Sequence, residues 1–177
     1  DRSIKGDRLA QTELYRLYYK AMYNTCYRML QDRMEAEDVM QESFLAAFLK
    51  IKTYRGEMSF GSWLKRIVIN KTIDELRSRK VRFDELNEKI NVSDESDWID
   101  LEKTEDDMNR VSRIKEAVGR LPEGFRVVLS LALFEGYDHE EIASILRITP
   151  STSRSQLTRA KKKLIEYLNT TENGTFG

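Results

Sequence analysis

The chain has 177 residues, with 30 Lys and Arg against 30 Asp and Glu, a formal net charge of zero. It holds only 2 Pro and 8 Gly, and 34% of its residues are charged, a composition that suits helices better than a turn-rich β fold. One Cys and one His exclude a disulfide framework and a Cys-based zinc cluster and argue against a Ser-His-Asp triad. No GxxxxGK[ST] or GxGxxG phosphate loop occurs. No apolar run of about 18 residues and no charged-then-apolar leader appears, which predicts neither a membrane span nor a secretory signal.

Residues 8–30 carry Leu9, Leu14, Leu17, Tyr18, Met22 and Cys26 at helical spacing, an amphipathic helix. Asp32 and Glu35 have capping-box spacing and open a second helix to about Ile51, with Val39, Met40, Phe44, Ala47, Phe48 and Ile51 inward. Residues 52–59 break the period and contain a Gly, so they form a loop. A third helix places Phe60, Trp63, Leu64, Ile67, Val68 and Leu76 on one side. Its other side shows Lys65, Arg66, Asn70, Lys71, Asp74 and Arg77. Residues 84–109 lose the apolar period and contain Trp98, which reads as packing on a neighbouring domain.

Periodicity returns with Val111, Ile114, Val118 and Leu121, and Pro122-Glu123-Gly124 punctuates it. Phe125, Val128, Leu129, Ala132 and Leu133 make the next helix, stopped near Gly136. Asp138 and Glu141 form a second capping box before Ile142, Ala143 and Leu146. Thr149 then stands as N-cap with Pro150 at the first helical position. The last helix turns Leu157, Ala160, Leu164 and Leu168 inward. It turns Ser151, Thr152, Arg154, Ser155, Thr158, Arg159, Lys161, Lys162 and Lys163 outward. Residues 170–177 read as a frayed tail. His139 reads as a surface helix residue and Cys26 as a buried thiol.

The zero net charge hides an asymmetry. Residues 1–83 sum to +6, residues 84–109 to −9 and residues 110–177 to +3. This pattern predicts an all-α chain of two small helical domains, 1–83 and 110–169, joined by an acidic flexible linker over 84–109, with a tail at 170–177. Basic blocks suit a polyanion, because Lys and Arg neutralise phosphates and release counterions. Residues 138–164 have the anatomy of a helix-turn-helix. Short hydroxyl side chains and an Arg occupy the start of the second helix, where base edges are read; Lys residues follow, where phosphates are met. A plain helical hairpin with a solvated basic face remains open at this point.

Several fragments together resemble one family. Glu37-Asp38-Val39-Met40-Gln41-Glu42-Ser43-Phe44 is similar to an A-E-D-x-x-Q-E-x-F segment. Tyr54-Arg55-Gly56-Glu57 through Trp63-Leu64-Lys65-Arg66-Ile67 and Asn70 resembles an F-R-G-x-S-x-F-x-x-W-L-x-R-I-x-x-N run, which Ile73-Asp74-Glu75-Leu76-Arg77 continues. Leu121-Pro122-Glu123-Gly124-Phe125-Arg126, Gly136-Tyr137 through Ile142-Ala143, and Ile148-Thr149 through Arg159-Ala160-Lys161 complete the likeness. In this order they resemble the extracytoplasmic-function (ECF) sigma factors of bacterial RNA polymerase, across nearly the whole chain.

The resemblance implies a region 2 helical bundle and a region 4 helix-turn-helix. It implies that Asp38, Gln41 and Glu42 face core RNA polymerase. It implies that Tyr54 and Asn70 line a pocket for a base of the melted −10 element, while Arg55, Lys65, Arg66 and Lys71 hold the strand. In region 4 it implies that Ser151, Arg154, Ser155, Thr158, Arg159 and Lys162 contact the −35 duplex. It further implies an anti-sigma factor as partner and a cytoplasmic location. No catalytic residue, metal, cofactor, small-molecule substrate or membrane insertion is expected.

Three residues depart from the family pattern. Tyr54 replaces a common Phe, Arg147 stands where the turn usually has Gly, and Ser153 stands where a core Val is common. Arg147 implies a left-handed backbone either dispensed with or tolerated with strain. Ser153 implies a smaller, looser core beneath the last helix. The rival readings are a stand-alone helix-turn-helix regulator, which predicts duplex binding without polymerase, and a helical adaptor, which predicts no salt-dependent DNA affinity.

Overall fold

A computed structural model describes residues 3, 6–78 and 107–173. The regular structure of these residues is entirely helical. The chain divides into two compact units, Asp1–Val81 and Arg82–Gly177.

The first unit packs three helices against one another: α1 (Arg8–Leu30), α2 (Arg33–Lys50) and α3 (Phe60–Ser78). Asp7 caps α1, its carboxylate accepting from the Leu9 and Ala10 amides. Gln31 ends α1 in the left-handed region, φ 56. Its side-chain amide donates to the Tyr27 and Arg28 carbonyls, satisfying acceptors that a helix end leaves open. Asp32 caps α2 through the Glu35 amide, as the spacing predicts. A single 3₁₀ turn, Ile51–Thr53, closes α2.

The core of this unit comprises Met22, Cys26 and Met29 from α1, Ala36, Met40, Phe44 and Ala47 from α2, and Leu64, Val68, Ile69, Ile73 and Leu76 from α3. Cys26 is a buried thiol whose Sγ accepts from Thr72 Oγ1 at 3.5 Å. Two buried hydroxyls bond back one turn and so do not compete with the packing: Ser43 Oγ to the Val39 carbonyl and Thr72 Oγ1 to that of Val68. Two inward assignments fail. Leu9 and Leu17 are 72% and 70% exposed, because Ala10, Met22 and Thr25 set the inward stripe instead. On α3 the stripe runs through Leu64, Val68, Thr72 and Leu76, which leaves Phe60, Trp63 and Ile67 half-buried at its margin.

The second unit contains α4 (Asp107–Arg120), α5 (Glu123–Leu129), α6 (His139–Leu146) and α7 (Pro150–Asn173). Asp107–Asn109 are helical rather than part of the acidic segment, and α7 continues through Asn173 into the stretch expected to fray. The rest of the 84–109 expectation, Trp98 included, lies outside the described residues. A π-helical turn, Ser130–Phe134, extends α5; its extra residue per turn rotates Leu133 outward, against the inward assignment, together with Phe134. Val111 is also exposed rather than inward.

Helix α7 packs on α5, α6 and α4. Val127, Val128, Leu129, Leu131, Ile142, Leu157 and Ala160 fill the centre. Arg126 is buried in this core and donates to the Leu121 carbonyl at 2.8 Å and the Gly119 carbonyl at 3.4 Å. It thereby satisfies acceptors at the C-terminal end of α4, where the helix dipole favours a cation. The Tyr167 ring holds Arg120 of α4 at 4.7 Å and Lys163 of α7 at 5.3 Å, tying the two helices at their far ends.

Candidate functional site

The outer face of α2 is the first surface. Asp38, Gln41 and Glu42 are all exposed there. The Gln41 amide donates to Glu37 at 3.2 Å, which orients it along the helix. Three large apolar residues share the exterior: Met34, Leu45 and Leu49, 78%, 62% and 77% exposed. Leu45 follows Asp38 by seven residues and Leu49 follows Glu42 by seven, so two helical turns align them. The sequence reading missed these three, although that spacing was available to it. Acid, amide and exposed leucine on one helix match a partner helix with cations beside an apolar seam.

The second surface is the 54–59 loop and the start of α3. Gly56 takes φ +73, a conformation that favours glycine. The Tyr54 hydroxyl donates to the Met58 carbonyl at 2.6 Å, so the group absent from Phe closes the loop on itself. Its ring lies edge-on to Phe60 at 5.8 Å and tilted against Trp63 at 5.4 Å. Ser59 caps α3, its Oγ accepting from the Ser62 amide. The Tyr18 ring covers Gly61 so closely that a Cβ there would sit 2.8 Å from it.

Arg55, Arg66 and Asn70 are exposed; Lys65 and Lys71 are half-buried. Asn70 follows Trp63 by seven residues, two turns, so it lies on the same side of α3 as Trp63 rather than opposite it as expected, about 10 Å further along. Lys71 reaches across to Glu42 of α2 at 3.2 Å. Lys71, which the resemblance assigns to DNA, and Glu42, which it assigns to polymerase, thus form an ion pair with each other.

The third surface is the helix-turn-helix. Asp138 and Glu141 form the reciprocal capping box on α6. Arg147 ends α6 at φ 57, ψ 44, so the left-handed turn is kept without glycine. The Arg147 and Ile148 amides both donate to the Ala143 carbonyl, the bonding that such a turn provides. Thr149 caps α7 through the Thr152 amide at 3.1 Å, as expected.

Ser151, Arg154, Ser155, Thr158 and Lys162 are exposed on α7 and Arg159 is half-buried. Lys163 points elsewhere, bonding Glu166 at 3.1 Å; that hydrogen bond and the Glu166 charge hold its ammonium above the usual 10.5. Beneath this face Ser153 and Gln156 are buried. Ser153 Oγ shares a hydrogen bond of 2.9 Å with His139 Nδ1. His139 is therefore a half-buried packing partner rather than a plain surface residue. Gln156 escaped the sequence reading because a long amide among Ser, Thr and Lys reads as solvated.

Among the described residues no helix is long and apolar enough to cross a membrane, and no group of three or more His, Cys, Asp and Glu is placed to hold a metal.

Comparison with known proteins assigns both helical units to family regions. Sigma-70 region 2 matches residues 14–82, and Sigma-70, region 4 matches residues 112–164. The RNA polymerase sigma-H factor of Pseudomonas aeruginosa is 30% identical over 175 residues, covering 95% of this chain and 91% of that protein. The ECF RNA polymerase sigma-E factor of Haemophilus influenzae is also 30% identical, over 93% of this chain and 90% of its own. The ECF RNA polymerase sigma factor SigW of Bacillus subtilis is 28% identical, over 93% and 91%.

Among solved structures, the sigma factor RpoE in complex with the anti-sigma factor NepR from Bartonella quintana superposes with a TM-score of 0.58. It is 20% identical, covering 89% of this chain and 96% of that one. CnrH in complex with the cytosolic domain of CnrY gives 0.55 at 22% identity, over 96% and 94%. Two region matches in chain order, with relatives aligned along nearly their full length, place the chain in the ECF sigma factors of RNA polymerase.

Proposed function

We propose that this alternative sigma factor divides promoter-specific initiation among the three surfaces. The α2 exterior is the contact with core RNA polymerase. Asp38, Gln41 and Glu42 supply the polar contacts, and Leu45 and Leu49 bury apolar area beside them. Helix α7 reads the −35 duplex: Arg154 offers a fork to base-edge acceptors, Ser151, Ser155 and Thr158 offer hydroxyls, and Arg159 and Lys162 meet phosphates. The 54–59 loop and α3 hold the melted −10 strand. Pulling a base from the stack costs roughly a few kcal/mol, so the capturing surface must return stacking and edge hydrogen bonds. Tyr54 supplies ring surface, Asn70 an amide that both donates and accepts, and Arg55, Lys65, Arg66 and Lys71 positive charge.

The exposed row Ser151, Arg154, Ser155, Thr158 and Lys162 on a doubly capped helix-turn-helix carries this reading. The protein acts in the cytoplasm and performs no catalysis itself. An anti-sigma factor holds it inactive, a reading supported by the RpoE–NepR complex above, in which an anti-sigma factor is bound to a sigma factor.

Run-off transcription on a fragment library with bacterial core polymerase tests the reading. Sequence-specific starts that need both components are expected, and aligning them yields the promoter. Tight duplex binding by the chain alone, with no starts, would instead identify a stand-alone regulator.

A further inference from the structure

The bond between His139 and Ser153 belongs to none of the three surfaces, yet it sits directly behind one of them. Ser153 is in the first turn of α7, and its neighbours Ser151, Arg154 and Ser155 are exposed. Its own side chain is completely buried. A buried hydroxyl without a partner is destabilising, and Ser153 Oγ finds its partner in His139 Nδ1 at 2.9 Å. Which atom donates depends on the imidazole tautomer.

His139 is itself well anchored. It is the first residue of α6, immediately after Asp138. The Asp138 carboxylate accepts from the Glu141 amide at 2.8 Å, and the Glu141 carboxylate accepts from the Asp138 amide at 3.0 Å. The capped start of α6 is therefore linked by a directional bond to the first turn of α7. An apolar pair at the same place would tolerate small rotations of α7 about its axis. A hydrogen bond tolerates fewer, because it weakens steeply with distance and angle. Base-edge contacts are the contacts that such a rotation would spoil; long Lys and Arg side chains on phosphates can follow it.

We propose that His139 is a positioning residue for promoter reading, which acts through Ser153 to fix the rotation of α7 and so the direction of Arg154 and its neighbours. The inference rests on α7 being the helix that reads the −35 duplex.

The test uses the full chain with core polymerase and compares affinity for the −35 duplex with affinity for a scrambled duplex, alongside thermal unfolding. His139→Phe keeps an aromatic ring and removes the polar atom. It is expected to weaken −35 binding about fivefold to tenfold, the size of one lost buried hydrogen bond, while scrambled-duplex binding changes less than about twofold. His139→Asn places an amide atom at the same bond distance from the backbone as Nδ1 and is expected to stay within about twofold of the parent. His139→Phe combined with Ser153→Val removes both polar groups and is expected to recover most of the loss.

Equal losses on both duplexes would reduce His139 to a stability residue and overturn the proposal. So would a double variant that loses as much −35 binding as His139→Phe alone, or more. Should His139→Phe fail to fold, the other two variants decide: retained discrimination in both supports the proposal, and lost discrimination in His139→Asn contradicts it. A parent protein that does not prefer the −35 duplex would instead sink the reading of α7 itself.

Discussion

The two units treat their working side chains differently. In the first, those groups are already engaged with each other: Tyr54 bonds the Met58 carbonyl and packs on Phe60 and Trp63, and Lys71 pairs with Glu42. In the second, the work is layered. Ser151, Arg154, Ser155, Thr158 and Lys162 face solvent, Ser153, Gln156 and His139 lie beneath that face, and the buried Arg126 ties the end of α4 in the core. On the proposed reading, strand capture would use an interlocked surface in which recognition and stability share atoms. Duplex reading would use an outer layer that can change with little cost to the fold.

That contrast can be broken at four places. Arg126→Ala strikes the core. It strips a charged donor from two carbonyls at the end of α4, and about 2–3 kcal/mol of second-unit stability should be lost. Thermal unfolding would show it, with the first unit's transition unmoved. Arg154→Ala strikes the outer layer. It should weaken −35 binding by about 1–3 kcal/mol while unfolding shifts by less than about 0.5 kcal/mol. A large unfolding shift here would mean that reading and support are not separable.

Tyr54→Phe tests the interlocked surface. It keeps the ring and frees the Met58 carbonyl, so about 0.5–1.5 kcal/mol of first-unit stability should go, together with some promoter opening. Loss of opening without loss of stability would mean the hydroxyl serves the DNA alone. Glu42→Gln is the mildest change. The pair with Lys71 is largely solvated, so less than about 1 kcal/mol is expected in denaturant titration, shrinking further in high salt. Its effect on polymerase binding should exceed its effect on stability.

Much of this was legible in the sequence, and the reasons are local. Capping boxes and N-caps depend on side chains two or three residues apart, so Asp32, Asp138 and Thr149 fell where expected. The exposed row on α7 followed from a 3.6-residue period in a segment with clear polar and apolar sides. What escaped depended on tertiary context. The π-helical turn shifts the phase of α5 by one residue, which no period-counting anticipates, and Leu133 turned outward as a result. On α1 nearly every turn carries a Leu or Tyr, so hydrophobicity alone could not choose the inward stripe.

The departures at Arg147 and Ser153 show a further limit. Read singly, each looked like a defect. The left-handed turn at Arg147 is kept and closed by two amides on Ala143, and the polar atom of Ser153 is matched by His139, fourteen residues earlier. A covering pair of this kind is visible only when the two helices are placed side by side. The polar trio on α2, two carboxylates and an amide, is a similar case: it was evident from the sequence, but the exposure of Leu45 and Leu49 beside it emerged only with burial.

The central claim is that duplex reading by α7 and strand capture by α3 are separate steps on separate surfaces. The most direct test follows promoter binding and opening together, using a fluorescent base in the −10 element of a holoenzyme–promoter complex. Arg154→Ala should weaken the initial complex and leave the opening rate of bound complexes unchanged. Asn70→Ala should leave the initial complex intact and slow or abolish opening. If both variants impair the same step, the division of labour between the two units is wrong.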